Sequence, residues 1–180
     1  FLHKDLLEIC KYCREKDLKI SILSNLISLK DEQIPVLKEV NLSLIQTSLY
    51  SMNPEIHDKI TTVKGSFEKT KAAIEKLVAA DIPVQISCPL MKANKDGYAD
   101  VLKYAQKLKI KAQTDYIMMA QANLDTSNLA NRLSLEETEK VLRDIFEYDL
   151  EYQAITLNLK PKDEERKFDK DRFLKDPFGG

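Results

Sequence analysis

Apolar and polar positions follow two patterns along the chain. Apolar residues three or four positions apart predict amphipathic helices, and short apolar runs bounded by polar residues predict buried strands. The helical spacing covers 5–16, 31–40, 66–80, 98–108 and 134–148, with a short helix over 54–59. The predicted strands cover 18–23, 42–48, 83–88 and 111–118.

Capping residues support three of the predicted helix starts. Asp31 is a typical N-cap for the second helix, and Ser66 is one for the helix over 66–80. Lys69 stands where a capping box needs Glu or Gln, so the cap there depends on Ser66 alone. Ser134 and Glu137 have the spacing of a complete capping box.

The order of these elements predicts the fold class. Helices and strands alternate from residue 5 to residue 118, and strands separated by helices favour a parallel sheet with right-handed crossovers. A closed or partly closed barrel and an open doubly wound sheet both fit this order. After residue 120 the pattern changes to a polar stretch, one further helix, and a segment over 160–175 rich in both charge signs.

Composition narrows the classes of partner. The 180 residues suffice for one domain or most of one, and 43% of them are apolar. A net charge of −1 gives no electrostatic reason to expect nucleic acid or an anionic membrane. No apolar run reaches the roughly 18 residues of a membrane span. With 4 glycines, a glycine-rich phosphate loop is excluded.

The N-terminal residues and the cysteines bear on location. Phe1 to Asp5 form no signal peptide, and the missing initiator Met leads us to expect a longer parent protein. Three cysteines form no disulfide framework, which favours the reducing cytoplasm.

Candidate chemistry gathers at the predicted strand ends, because the carboxyl ends of parallel strands meet at one edge, where ligands bind. These strand-end residues are Ser24, Asn25, Ser48, Tyr50, Gln85, Ser87, Tyr116, Met118 and Gln121. Their small, uncharged hydrogen-bonding groups suit a nucleoside better than a phosphate. The alternative is that they are ordinary strand-to-loop transitions. Gln85 and Ser87 share one face of their strand, and Ile86 shares the other with Cys88.

The cysteines and His57 have structural explanations as well as chemical ones. Cys10 and Cys13 form a CxxC without further ligands nearby, so we interpret both as buried thiols on the inner face of a helix. Cys88, at a strand end, is a buried thiol or a ligand contact. His57 is a base, a substrate contact, or, as the simpler interpretation, a hydrogen-bonding residue within its loop.

The order of residues within 44–68 is a more specific indication of a protein family than the chemistry of the individual side chains. This stretch contains Ser48-Leu49, then Pro54-Glu55-Ile56-His57-Asp58, then Gly65-Ser66-Phe67. This succession resembles the fourth strand and following loop of radical S-adenosylmethionine (SAM) enzymes that modify peptides and carry a C-terminal SPASM extension. The resemblance extends from residue 1 to about residue 120.

The resemblance implies a fold and a division of the chain. The family core is a partial (β/α)6 TIM-like barrel, and the four predicted strands would be its third to sixth, with their flanking helices. Phe1 to Leu6 are similar to the residues that follow the family's Gly-Gly-Glu-Pro motif. Residues 1–125 would form the C-terminal part of the barrel. Residues 126–180 would be a helical and charged extension that leads toward a SPASM-type domain.

The resemblance also implies cofactor contacts. Asn25 would stand near the methionine part of SAM, and Ser48 would contact the ribose. Ile86 would pack on the adenine, and the backbone near Met118 would hydrogen-bond the adenine edge. The family's 4Fe–4S cluster is held by a CxxxCxxC loop, which these 180 residues lack. The cluster ligands would therefore lie outside them, and the chain would not be active alone.

The implied activity is radical chemistry on a peptide or protein. The parent enzyme would cleave SAM to a 5′-deoxyadenosyl radical and install a thioether or carbon crosslink, or oxidise a side chain. The alternative is a non-catalytic α/β barrel-like module for binding or interaction. An aldolase-type barrel is less well supported, because no lysine clearly faces a pocket from a strand end.

Overall fold

The computed structural model of the protein describes residues 1–148, with side chains to Ile145. These residues belong to two compact units that divide between Glu137 and Thr138. The strands are β1 (Ser21–Leu23), β2 (Leu44–Ser48), β3 (Val84–Pro89) and β4 (Lys111–Asp115). The helices are α1 (Leu6–Glu15), α2 (Ile34–Glu39), α3 (Pro54–Thr61), α4 (Ser66–Ala79), α5 (Tyr98–Lys107) and α6 (Leu135–Tyr148). Two 3-10 turns cover Asp31–Gln33 and Ser127–Asn131.

The four strands form one parallel sheet in the order β1-β2-β3-β4. This confirms the predicted parallel α/β arrangement. A doubly wound sheet reverses its strand order at a switch point. Because the described strands follow one another without such a reversal, the order favours the barrel-type alternative. In the register of the sheet, Thr47 is paired with Ile86 and Ser48 with Ser87.

The two faces of the sheet differ in burial. Ile45, Thr47 and Ile86 are almost completely buried, whereas Gln46 and Ser48 between them are half-buried. Successive side chains of a strand point to opposite faces. One face therefore carries the core, together with Phe67, Ile74 and Leu77 of α4 and Val101 of α5. We call the other side, with Gln46 and Ser48, the open face.

Thr47 contributes an unpaired hydroxyl to the buried face. The side chain is 2% exposed, and its Oγ1 has no hydrogen-bond partner among the described residues. Thr47→Val is expected to raise the free energy of unfolding by about 1 kcal/mol, because it removes a buried group without a partner and keeps the shape. Urea denaturation measures the change. Thr70→Val is the matched control, because the equally buried Thr70 Oγ1 donates to Asn25 O at 3.0 Å. That variant should lower stability instead, and a gain in both would contradict the explanation.

Three predicted strands are shorter in the structure, among them β2, which begins at Leu44 rather than at Leu42. The prediction of a buried strand over 18–23 was wrong in its burial, because Leu18 is 53% exposed and Leu23 is 77% exposed. Leu23 is paired with Gln46 and so lies on the open face. β4 ends at Asp115 rather than at Met118. The reason is local, since Asp115 Oδ1 accepts a hydrogen bond from Ile117 N at 2.8 Å and turns the chain.

The helix starts also differ in part from the prediction. Ser66 is the first residue of α4, and its hydroxyl donates to Asp58 Oδ1 at 2.9 Å. The Asp58 carboxylate of α3 caps α4, because it also accepts from Gly65 N and Phe67 N. These hydrogen bonds lower the pKa of Asp58, and the one from the backbone N–H of Phe67 has the largest effect.

The other two predicted caps have opposite outcomes. Asp31 makes no cap and instead pairs with Lys76, with 2.6 Å between Oδ1 and Nζ. The capping box of Ser134 and Glu137 is confirmed. Ser134 N donates to Glu137 Oε2 at 2.8 Å, and Glu137 N donates to Ser134 Oγ at 3.1 Å.

Candidate active site

The carboxyl ends of the strands form one edge of the sheet, where the predicted site residues fall. Ser48 is the last residue of β2, and Asn25 follows β1 by two residues. Met118 follows β4 by three residues and is half-buried. Since the strands are parallel, these three positions share one edge of the sheet.

Asn25 stands in a turn anchored to helix α4. Its Oδ1 accepts from Ile27 N at 3.2 Å, and its backbone oxygen accepts from Thr70 Oγ1 at 3.0 Å. Leu26, the next residue, has a positive φ of 61° and is 1% exposed. The buried Leu26 and the bond from α4 hold the turn, while the Asn25 side chain stays exposed.

Ser48 and Ser87 place two hydroxyls side by side on the open face. They are register partners, and both are half-buried. Gln113 of β4, the register partner of Ser87, continues the same row. Among the described residues, no side chain hydrogen-bonds to either serine hydroxyl. The Ser48 and Ser87 pair is polar and uncharged, which suits a ligand rich in hydroxyl groups.

The structure does not bring Ile86 to the open face. Its side chain is 0% exposed and lies on the face that carries the core. The expected contact of this side chain with adenine therefore does not fit a ligand above the open face. The physical reason is the register, which pairs Ile86 with the buried Thr47 rather than with Ser48. A ligand on the open face meets Ser87 instead.

Asn94 joins two loops beside this edge, and sequence analysis missed its role. Its Nδ2 donates to Tyr50 O at 2.8 Å and to Pro89 O at 3.0 Å, and its Oδ1 accepts from Met91 N at 2.8 Å. The residue is 1% exposed. It therefore ties the loop after β2 to the loop after β3. An asparagine between Pro89 and Gly97 reads as a turn residue, so the sequence gives no distinct signal for this long-range contact.

His57 is buried beneath the loop after β2. Its Nδ1 accepts from Tyr50 N at 3.2 Å, and its ring packs against Phe67 with 5.8 Å between centroids. The structure thus agrees with the simpler interpretation, a hydrogen bond within the loop. Burial lowers the pKa of His57, although the Asp58 carboxylate acts in the opposite direction.

The cysteines do not assemble into a metal site. Cys10 and Cys88 are buried, whereas Cys13 is only half-buried, which corrects the expectation that both helix cysteines are buried. Burial raises the pKa of Cys10 and raises that of Cys88 to about 12. Within residues 1–148 no three His, Cys, Asp or Glu side chains are placed to hold a metal ion.

Alkylation should separate the three thiols. Iodoacetamide is expected to modify Cys13 at least about tenfold faster than Cys10 or Cys88, because the thiolate is the nucleophile and burial disfavours it. Peptide mass spectrometry of the native protein measures the order. Alkylation in urea is the control, in which all three should react alike. Rapid reaction of Cys88 in the folded protein would contradict its burial.

Among residues 1–148, no helix combines the length and the apolar character that a membrane crossing requires.

Comparison with known proteins gives the family. A profile described as the Radical SAM superfamily matches residues 1–105. The AdoMet-dependent heme synthase of Methanosarcina barkeri is 26% identical over 82% of this chain and 41% of its own length. The antilisterial bacteriocin subtilosin biosynthesis protein AlbA of Bacillus subtilis is 30% identical over 62% of this chain and 25% of its own. The chain thus spans less than half of either relative.

A solved structure shows the same fold. Streptococcus suis SuiB bound to S-adenosylmethionine matches with a TM-score of 0.66 at 12% identity, over 84% of this chain and 33% of SuiB. The parallel sheet with its flanking helices is therefore the partial TIM-like barrel that the sequence predicted. Because the family profile covers more than half of the residues, this chain belongs to the radical SAM superfamily.

Proposed function

We propose that this chain forms the SAM-binding part of a radical SAM enzyme that modifies a peptide or protein. One observation carries the proposal. Asn25, Ser48 and Met118 lie at one edge of the sheet, beside the uncharged row that continues from Ser48 through Ser87. Such a row fits the adenosine part of SAM, whose ribose hydroxyls and adenine nitrogens are neutral donors and acceptors. When bound, SAM supplies the 5′-deoxyadenosyl radical that the family uses.

The residues present do not fit the 4Fe–4S cluster that the family implies. Cys10 and Cys88 are buried, and no third ligand joins Cys10 and Cys13 among the described residues. We propose that the cluster ligands lie outside these 180 residues, so that the chain alone has no activity. The residues from 126 onward would lead toward a SPASM-type domain, and the whole enzyme would be cytoplasmic.

The peptide substrate is supported by the relatives and neighbours. AlbA is a bacteriocin biosynthesis protein, and SuiB has also been solved with its precursor peptide SuiA. The heme synthase relative shows that matched proteins also include enzymes with a different product. The reaction type we propose is a crosslink, through a thioether or carbon bond, or a side-chain oxidation.

SAM binding tests the site. Ser48→Val in the full-length protein is expected to weaken SAM binding about three- to tenfold, because one hydrogen bond to the ribose is lost. Isothermal titration measures the dissociation constant. Ser21→Val is the matched control. Ser21 lies on the same face of the sheet as Ser48, but at the amino end of β1 and therefore away from the proposed site. Equal losses in both variants would contradict the assignment.

An activity assay tests the chemistry. We expect the full-length protein, reconstituted anaerobically with iron and sulfide, to form 5′-deoxyadenosine from SAM in the presence of a reductant. Absence of this product despite a loaded cluster would leave the alternative of a non-catalytic binding or interaction module.

A further inference from the structure

Three glutamines stand together on the open face, in a group we call the carboxamide row: Gln46, Gln85 and Gln113. Gln46 and Gln85 are register partners in β2 and β3. Gln113 in β4 is paired with Ser87, two residues after Gln85. The row therefore lies next to the Ser48 and Ser87 pair, on the side toward the amino ends of the strands. A group bound there adjoins SAM held at the strand ends.

Two members of the carboxamide row are hydrogen-bonded to each other, and all three keep hydrogen-bonding capacity. Gln85 Nε2 donates to Gln113 Oε1 at 2.9 Å, which pairs the two side chains. Each carboxamide has two N–H donors and an oxygen with two lone pairs. The pair therefore retains donors and acceptors, even if oxygen and nitrogen of both groups are exchanged. The Gln46 side chain has no hydrogen-bond partner among the described residues.

The charged and apolar side chains around the carboxamide row limit the chemical classes of ligand that it can bind. Leu23 on β1 is paired with Gln46, and Lys111 on β4 is paired with Gln85. From β1 to β4 the sequence of side chains is thus apolar, carboxamide, carboxamide and cationic. Lys111 and Asp115 bring opposite charges, and both stand on β4. Recognition of a phosphate or several carboxylates uses convergent Arg and Lys groups, which the described strands do not offer on this face.

We propose that the carboxamide row binds the main-chain amides of a neutral peptide segment and so selects peptides over polyanionic substrates. An amide group offers one N–H and one C=O, which a glutamine carboxamide matches with its own oxygen and N–H. Leu23 is 77% exposed beside the row and provides an apolar surface for a substrate side chain. This inference rests on the proposed function and adds the residues that recognise the main chain of the peptide.

Capture of defined probes tests the inference. The immobilised full-length protein, loaded with its cluster and SAM, is incubated with a mixture of neutral blocked hexapeptides and separately with GTP. Retained probe is quantified by mass spectrometry. We expect peptides to be retained more than GTP, and Gln85→Leu or Gln113→Leu to reduce peptide retention about tenfold, as two lost hydrogen bonds imply. Gln106→Leu, an exposed glutamine on α5, is the matched control and should leave retention unchanged.

The outcomes are distinguishable. If SAM binds and no peptide is retained, or if GTP is retained better, the carboxamide row does not have this role. Equal retention by wild type, Gln85→Leu and Gln113→Leu also overturns it. If the wild type fails to bind SAM, the proposed function itself fails. Gln85→Asn keeps a shortened carboxamide and serves if leucine disturbs folding, with an expected loss of about two- to fivefold.

Discussion

Asn94→Ala is expected to lower the free energy of unfolding by about 3–5 kcal/mol, the largest effect of any single change proposed for this chain. The side chain donates to Tyr50 O and Pro89 O and accepts from Met91 N. Removal takes these hydrogen bonds from Pro89 O and Met91 N, leaves Tyr50 O with only the weak Cys88 Sγ donor at 3.7 Å, and opens a buried void. Chemical denaturation of the protein measures this loss of stability. The affinity for SAM should fall as well, because the loops after β2 and β3 are no longer held together.

Asn53→Ala provides the comparison for Asn94. Asn53 Oδ1 accepts from Glu55 N at 2.9 Å and caps α3 at an exposed position. Loss of an N-cap costs about 1 kcal/mol. If the two alanine variants proved equally stable, the tie between the loops would contribute nothing beyond an ordinary cap.

His57→Ala is expected to lower the free energy of unfolding by about 3 kcal/mol, through a cavity beside Phe67 and an unpaired Tyr50 N–H. His57→Phe separates the two causes, because it fills the space and loses only the acceptor. We expect it to cost about 1–2 kcal/mol. Thermal and urea unfolding measure both variants.

His57 should also make stability depend on pH. Burial lowers its pKa in the folded protein, so the unfolded chain binds the proton more readily. Stability is therefore full above the unfolded value of about 6.5 and declines as the pH falls from there toward the folded pKa. Unfolding measured from pH 7.5 to pH 5 should show this decline in the wild type. A decline of the same size in His57→Phe would assign it to another group.

Period-two alternation sufficed to predict which residues of β3 share a face. It separated Gln85 and Ser87 from Ile86 and Cys88, as their burial confirms. It did not predict which of these faces Ser48 shares. That depends on the register between β2 and β3, and a shift by one residue would exchange the faces. The family resemblance assigned Ile86 to the adenine, whereas the register pairs Ser48 with Ser87 and Ile86 with the buried Thr47.

The contacts that shape the candidate site are long-range, and this explains which of them the sequence concealed. The Ser134 and Glu137 box joins neighbouring residues and was predictable. Asn94 bonds to Tyr50, 44 residues away, and Asp58 caps a helix that begins after a turn. Nothing in local spacing distinguishes these two side chains from ordinary turn or surface residues. The roles of Asn25, Ser48 and Met118 toward SAM stay predictions, and the titration experiment tests that of Ser48.

The three short hydrogen bonds of the Asn94 side chain, at 2.8 to 3.0 Å, all go to main-chain atoms. The side chains at positions 50 and 91 can therefore be exchanged without removing a partner of this asparagine. A library that randomises these two positions and keeps Asn94 should retain folded members at high frequency. Because Asn94 holds the loops through their main chain, substitutions of loop side chains could change the substrate preference while the fold of the sheet and helices stays the same.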